Sequence, residues 1–145
     1  MDAQSEMTLV MVDDNADEIF LTRRLVRRDG IINNFVSERK PERIFETLEE
    51  LRCIGVEPEK MIILLDINMP RLDGFETLRQ VRASAEFKAV PVFMLSASDN
   101  EADVMEAMAL GASGYMVKPF QEEALVHNVE RLVKASRESG RRAAS

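Results

Sequence analysis

Five side chains able to carry out chemistry follow short apolar runs at widely separated points of the sequence. They are three carboxylates, a hydroxyl and an ammonium: Asp13, Asp14, Asp66, Ser96 and Lys118. Three carboxylates that come together repel one another, and Mg²⁺ relieves that repulsion because it prefers carboxylate oxygens as ligands. Since Mg²⁺ keeps several waters, it can also accept an oxygen of an incoming phosphoryl group. If these residues meet, their types therefore predict a Mg²⁺ site for phosphoryl transfer.

The individual residue types suit this chemistry. Lys118 offers a second positive charge that can pair with the phosphoryl group or with Asp66, and Ser96 can donate a hydrogen bond to a phosphoryl oxygen. Asp66 is the best candidate nucleophile because it ends the most apolar run and an ionised carboxylate can attack phosphorus. Asp13 and Asp14 are then expected to hold the metal, since phosphoryl transfer needs mainly positioning and charge neutralisation.

The elements that must position these residues follow from the hydrophobic periodicity. Short apolar runs predict five strands: Thr8–Val12, Asn34–Ser37, Met61–Leu65, Pro91–Leu95 and Gly114–Val117. Amphipathic stretches between and after them predict five helices: Asp17–Arg28, Pro41–Ile54, Gly74–Ser84, Asp99–Leu110 and Gln121–Ser136. Strict alternation of this kind implies a parallel sheet with helices on both faces. Because ligands bind at the carboxyl ends of such strands, the five side chains should converge there.

Composition and charge narrow the class of protein. The chain has 145 residues, 46% of them hydrophobic, which suits one domain with a core. Its net charge of −7 argues against nonspecific binding to nucleic acid or anionic membranes. The single cysteine, Cys53, cannot form an internal disulfide and no targeting segment is apparent, so we expect a cytoplasmic protein. We assign residues 8–136 to the domain, and residues 1–7 and 137–145 to terminal tails.

Four stretches of the sequence resemble the receiver domain of response regulators, a family typified by the chemotaxis response regulator. These stretches are Val10–Asn15, Leu64–Phe75, Met94–Ala97 and Gly111–Phe120, and the resemblance covers the chain roughly from Thr8 to Val133. It implies a flavodoxin-like α/β fold, in which a doubly wound, five-stranded parallel sheet of order 2-1-3-4-5 carries five helices.

The resemblance also assigns roles at the metal and phosphorylation site. Asp66 matches the phosphoacceptor, and Lys118 matches the lysine that pairs with the phosphoryl group. Asp13 and Asp14 match the acidic pair that binds Mg²⁺, and the resemblance makes Asp66 a ligand of the same ion. Asn68 matches the position whose backbone carbonyl is a further metal ligand. Mg²⁺ is therefore the cofactor that the resemblance implies.

Further roles concern the response to phosphorylation. Ser96 matches the switch hydroxyl, and Tyr115 matches the aromatic residue that turns inward once that hydroxyl engages the phosphoryl group. Pro119 matches the proline that is usually joined to the preceding lysine by a cis peptide bond. Gly74 matches the glycine of the loop after the phosphoacceptor.

The expected function is that of a stand-alone response regulator in a two-component phosphorelay, without a DNA-binding or enzymatic output domain. A histidine kinase or a histidine phosphotransfer protein would supply the phosphoryl group. The chain would catalyse only its own phosphorylation and dephosphorylation, and so would not be an enzyme acting on other substrates. The face formed by helix 4, strand 5 and helix 5 would bind an unidentified downstream protein. The chain would be a monomer, or a dimer that forms on phosphorylation. No direct contact with nucleic acid or membrane is expected.

One subgroup of the family resembles this chain in two further respects. The stretch from Asp29 to Lys60 is a few residues longer than in the chemotaxis protein, as in the response regulators paired with bacterial phytochromes. The run Asp14-Asn15-Ala16-Asp17, followed by Leu21-Thr22-Arg23, is similar to the same subgroup.

Two other functions fit part of the pattern. A Mg²⁺-dependent phosphatase that works through an aspartyl phosphate would share most of the site. Such enzymes typically carry a second acid two residues after the nucleophile, where this chain has Asn68. A flavin-binding electron carrier would need a phosphate-binding loop after the first strand. Asp13 and Asp14 would repel phosphate there, so we discard the flavin alternative unless the purified protein is yellow.

Overall fold

A computed structural model describes residues 7–29, 32, 34–67, 74–97, 101–118, 123–125, 127–128 and 130–131. The strands are β1 (Thr8–Val12), β2 (Asn34–Glu38), β3 (Met61–Asp66), β4 (Val92–Ser96) and β5 (Gly114–Val117). The helices are α1 (Ala16–Asp29), α2 (Ile44–Cys53), α3 (Gly74–Ala83) and α4 (Glu101–Ala109). The described residues between 123 and 131 are helical and belong to a fifth helix, α5. None of the helices that the structure describes is both long and apolar enough to cross a membrane.

The five strands form one parallel sheet in the order β2-β1-β3-β4-β5, as the resemblance implied. The register aligns the carboxyl ends of the inner strands, because Val12 lies opposite Leu65 and Asp66 lies opposite Leu95. At the other side of β4, Ser96 lies opposite Val117. Residues at or just after these positions therefore share one edge of the sheet.

Apolar side chains alternate between the two faces of the sheet and form a core on each. Val10 and Val12 of β1 join a cluster that includes residues of α2, α3 and α4. Leu9 and Met11 join a second cluster, with residues of α1 and Leu125 of α5. Because β1, β3 and β4 are buried at every position, they contribute to both cores, as expected for a parallel sheet with helices on both sides.

The structure divides the predicted helix Pro41–Ile54 in two. Pro41–Arg43 forms a 3₁₀ turn and α2 begins only at Ile44. Proline favours the first position of a helical turn, and 3₁₀ turns are frequent at helix N-termini. A second 3₁₀ turn, Pro58–Lys60, precedes β3 and was not predicted. The fourth helix ends at Ala109, one residue before the predicted Leu110, and Gly111 follows with a φ of +98° that suits a glycine after a helix.

Small differences in strand ends have hydrogen-bonding causes. Strand β4 begins at Val92 and not at Pro91, since proline has no N–H to contribute to a ladder. Strand β3 extends one residue beyond the prediction, through Asp66, and the following N–H of Ile67 donates to the carbonyl of Leu95 at 2.9 Å. Met7, which we assigned to the N-terminal tail, is buried, and its carbonyl accepts a hydrogen bond from the N–H of Asn34.

Candidate functional site

Three of the predicted site residues meet at the carboxyl edge of the sheet. Asp66 is the last residue of β3, Asp13 follows β1, and Lys118 follows β5. Lys118 Nζ lies 2.9 Å from Asp66 Oδ2 and 3.4 Å from Asp13 Oδ2. The two aspartates are buried and the lysine side chain is only 16% exposed, so water screens these charges weakly.

Backbone hydrogen bonds hold these residues to the strand ends. The N–H of Asp13 donates to the carbonyl of Glu38 at 3.1 Å, which extends the pairing of β1 with β2. The Asp13 carboxylate accepts the N–H of Asn15 at 2.9 Å. The N–H of Lys118 donates to the carbonyl of Ser96 at 2.7 Å, so the lysine is anchored to β4.

A fourth residue at this site, Glu18, was missed by the sequence analysis. The carboxylate oxygens of Asp13, Glu18 and Asp66 lie within 4.8 Å of one another, and Glu18 also forms an ion pair with Lys118. Asn15 Oδ1 caps α1 by accepting the N–H groups of Asp17 and Glu18 at 2.9 and 3.2 Å. The spacing Asn15-x-x-Glu18 is that of a capping box, in which the glutamate turns back toward the helix start. That pattern was the available signal.

Asp14 lies beside this group and not within it. It is half-buried, and its carbonyl accepts a hydrogen bond from the Arg39 guanidinium at 3.0 Å. Its role as a metal ligand stays a prediction. The predicted backbone ligand Asn68 and the Lys118–Pro119 peptide bond lie outside the described residues, and both also stay predictions.

The two residues assigned to switching lie on the neighbouring strands. Ser96 ends β4 and is 1% exposed. Tyr115 lies on β5, is half-buried and packs against the core on the face of α2, α3 and α4. Ser96 therefore lies at the carboxyl end of β4 and Tyr115 on the edge strand β5, and the switching roles of both stay predictions.

Gly74 fixes the contact between the start of α3 and the end of β3. A Cβ atom at this position would lie 2.6 Å from the carbonyl oxygen of Asp66 and 2.7 Å from the Cα atom of Ile67. Both contacts are to backbone, so a larger residue would have to displace the strand end or the helix. The N–H of Gly74 donates to the carbonyl of Ile67 at 3.1 Å, which also ties α3 to this strand end.

The charged groups of the site shift one another's pKa values. Burial and a hydrogen bond shared with Glu18 raise the pKa of Asp13 to about 8. Burial acts to raise the pKa of Glu18, but hydrogen bonds with Asp13 and Lys118 outweigh it and lower that pKa. Burial opposes the charged form of Lys118, yet hydrogen bonds to Glu18 and Asp66 and the charge of Asp13 raise its pKa above the usual value. The lysine is therefore a permanent cation among carboxylates that compete for it.

This donor set fits Mg²⁺. Three carboxylates within reach of a single ion are hard oxygen ligands, and together they exceed the single positive charge of Lys118. Burial and the neighbouring carboxylates disfavour the charged form of Asp13, as its raised pKa indicates. A divalent cation would offset this excess of negative charge, and metal binding ordinarily displaces protons from its ligands.

Comparisons with known proteins agree with this arrangement. Residues 9–130 match the family described as the response regulator receiver domain. The chain is 28% identical to chemotaxis protein CheY1 of Helicobacter pylori over 86% of this chain and 94% of that protein. It is 34% identical to transcriptional regulatory protein ResD of Bacillus subtilis over 92% of this chain, and it spans about half, 51%, of ResD. The solved bacteriophytochrome response regulator RtBRR has a TM-score of 0.73 and 29% identity, over 87% of this chain and 77% of that chain.

Proposed function

The chain belongs to the response regulator receiver domain family, and on that premise we propose that it accepts a phosphoryl group on Asp66. The donor is the phosphohistidine of a histidine kinase or of a phosphotransfer protein. The observation that carries the proposal is the buried Asp66 carboxylate, which lies 2.9 Å from the Lys118 ammonium and beside Asp13. Phosphorylation then changes the binding of a downstream protein.

The proposed reaction needs few participating groups. A carboxylate oxygen of Asp66 attacks phosphorus, the bond between phosphorus and the donor imidazole nitrogen breaks, and the imidazole leaves with the electron pair. Lys118 pairs with the transferred phosphoryl oxygens, and Ser96 donates to one of them. Asp13 and Asp66, with Asp14 and the carbonyl of Asn68, would hold Mg²⁺, which supplies neutralising charge for those oxygens. Water later cleaves the acyl phosphate at the same site, which restores the Asp66 carboxylate and releases inorganic phosphate. In this proposal the chain catalyses only its own phosphorylation and dephosphorylation.

The proposed output surface is the face of α4, β5 and α5. Met105 and Met108 of α4 are 68% and 49% exposed, and Val117 of β5 is 38% exposed. Neighbouring exposed apolar side chains of this kind suit a protein contact. A shift of Ser96 toward the phosphoryl group, followed by Tyr115, would reshape this face. A partner protein in the cytoplasm, or a second phosphorylated copy, then binds it differently.

Labelling with acetyl phosphate tests the proposal. In the presence of Mg²⁺, intact-mass measurement is expected to show one added phosphoryl group, absent in Asp66→Asn and absent after removal of Mg²⁺ by a chelator. Asp103→Asn, the same change on α4, is the matched control and should label normally. Labelling that persists in Asp66→Asn would overturn the assignment of the phosphoacceptor. Multiple turnover of a generic phosphate ester would instead indicate a phosphatase.

A further inference from the structure

Lys118 has three carboxylate partners, and one of them takes no part in the proposed transfer reaction. Besides Asp66 and Asp13, the ammonium contacts Glu18 Oε2. Glu18 is the outermost of the three, with 34% of its side chain exposed compared with 5% for Asp66 and 0% for Asp13. The lysine that must pair with the phosphoryl group is therefore already held by a carboxylate from α1.

The position of Glu18 is built into the start of α1. Asn15 caps the helix by accepting the N–H of Glu18, which fixes this residue in the first turn, beside the end of β1. Glu18 also lines a cavity of about 400 Å³ together with Leu21, Leu25 and Lys118. The Glu18 side chain therefore borders open space as well as Lys118, and the core does not enclose it.

A negative charge at this point acts in opposite directions on the two ligands of the site. It attracts Mg²⁺, since it adds to the carboxylates of Asp13 and Asp66. It repels a phosphoryl group, which carries a charge of about −1.5 to −2. It also competes with that group for the Lys118 ammonium. A residue that only stabilised the start of the helix would not change the Mg²⁺ affinity and the phosphoryl-group affinity in opposite directions.

We propose that Glu18 is a positioning residue that competes with the phosphoryl group for Lys118, and that it favours Mg²⁺ binding while it disfavours the phosphorylated state. This inference rests on the proposed function, because it assumes that Lys118 must pair with a phosphoryl group on Asp66. Glu18 would therefore favour the Mg²⁺-bound, unphosphorylated site over the phosphorylated site.

Glu18→Gln tests the inference, because the amide keeps the size of the side chain and removes its charge. Mg²⁺ affinity is measured by calorimetry without a phosphoryl donor, and beryllofluoride affinity is measured at saturating Mg²⁺. We expect Mg²⁺ to bind about three- to tenfold more weakly and beryllofluoride to bind about three- to tenfold more tightly, from charge interactions at a partly exposed position. Glu18→Asp, which keeps the charge, should retain most of the original Mg²⁺ affinity.

Asp17→Asn is the matched control, since it removes one charge from the same helical turn at an exposed position. It is expected to leave both affinities within about twofold of the original. Affinities that change in the same direction in Glu18→Gln, or do not change, would overturn the inference while the proposed function stands. Failure of the unaltered protein to bind Mg²⁺ or beryllofluoride would overturn the proposed function, and the role of Glu18 with it.

Discussion

Strands β3 and β5 both deliver a functional residue to the same edge of the sheet, but they are packed very differently. All six residues of β3 are buried, and it lies between β1 and β4. Strand β5 lies at the edge of the sheet, and only Met116 of its four residues is buried. A closely packed strand moves only at the expense of core contacts, whereas a lightly packed one shifts at less cost. The proposed nucleophile therefore stands on a fully buried strand, and the proposed response starts from a lightly packed one.

The largest effect expected from this comparison is on stability. Leu64 of β3 has no exposed surface, so Leu64→Ala should lower the free energy of unfolding by about 2–5 kcal/mol through lost burial and a residual cavity. Val117→Ala, on the exposed side of β5, should stay within about 0.5 kcal/mol of the original. Urea denaturation measures both. Equal losses would show that the two strands are equally packed in solution.

The convergence of residues from these strands could be predicted because two independent patterns coincide. The run before Asp66 is apolar at every position, which is typical of a strand buried on both faces. Alternating strands and helices place the carboxyl ends of parallel strands at one edge, where ligands bind. Asp13, Asp66 and Lys118 could therefore be brought together without knowledge of a single contact.

Glu18 and the turn Pro58–Lys60 had weaker signals in the sequence. The spacing Asn15-x-x-Glu18 indicates the start of a helix, but it does not indicate a contact with Lys118. An acidic residue in the first turn of a helix is usually an exposed partner of the helix dipole. The contact of Glu18 with Lys118 depends on the fold, because the two residues are 100 positions apart in the sequence. The turn Pro58–Lys60 has three residues, too few for hydrophobic periodicity to show. The contact of Glu18 depends on the fold, and the turn is too short to be recognised from the sequence.

The next effect concerns the close contact between α3 and the end of β3. Gly74→Ala forces a methyl group against the backbone of Asp66 and should cost about 1–3 kcal/mol. Because that backbone carries the nucleophile, labelling by acetyl phosphate should also slow. Gly55→Ala is the matched control, since its φ of +99° makes alanine unfavourable by about 1–2 kcal/mol although open space surrounds it. Slower labelling in Gly55→Ala as well would mean that lost stability alone explains both results.

A smaller effect on stability is expected from Lys118, which follows β5 and pairs with Asp66 at the end of β3. Lys118→Met removes the ammonium shared by Asp13, Glu18 and Asp66. It should destabilise the metal-free protein by about 1 kcal/mol, because a buried carboxylate that loses its partner can bind a proton instead of remaining charged. Saturating Mg²⁺ should recover most of this loss by neutralising the same carboxylates. Lys88→Met, at an exposed lysine, serves as the control. A loss that Mg²⁺ does not reduce would argue against charge neutralisation as its cause.

The smallest effect is a local rearrangement with little change in stability, and Tyr115 reports it directly. The chain has one tyrosine and no tryptophan, so tyrosine fluorescence arises from β5 alone. Tyr115 is half-buried, and a turn inward on addition of Mg²⁺ and beryllofluoride should reduce the quenching of its fluorescence by acrylamide. Asp66→Asn should show no such change.

Amide hydrogen exchange under the same conditions completes the comparison. Exchange in β5 should change on addition of Mg²⁺ and beryllofluoride, while exchange in β3 should not, because opening β3 disrupts both cores. If exchange changes in both strands, the sheet responds as a whole, and the proposed difference between a fixed β3 and a responsive β5 is wrong. Both strands lead to the same ion pair, Asp66 at the end of β3 and Lys118 after β5. If exchange changes only in β5, the difference in response is therefore explained by the difference in packing.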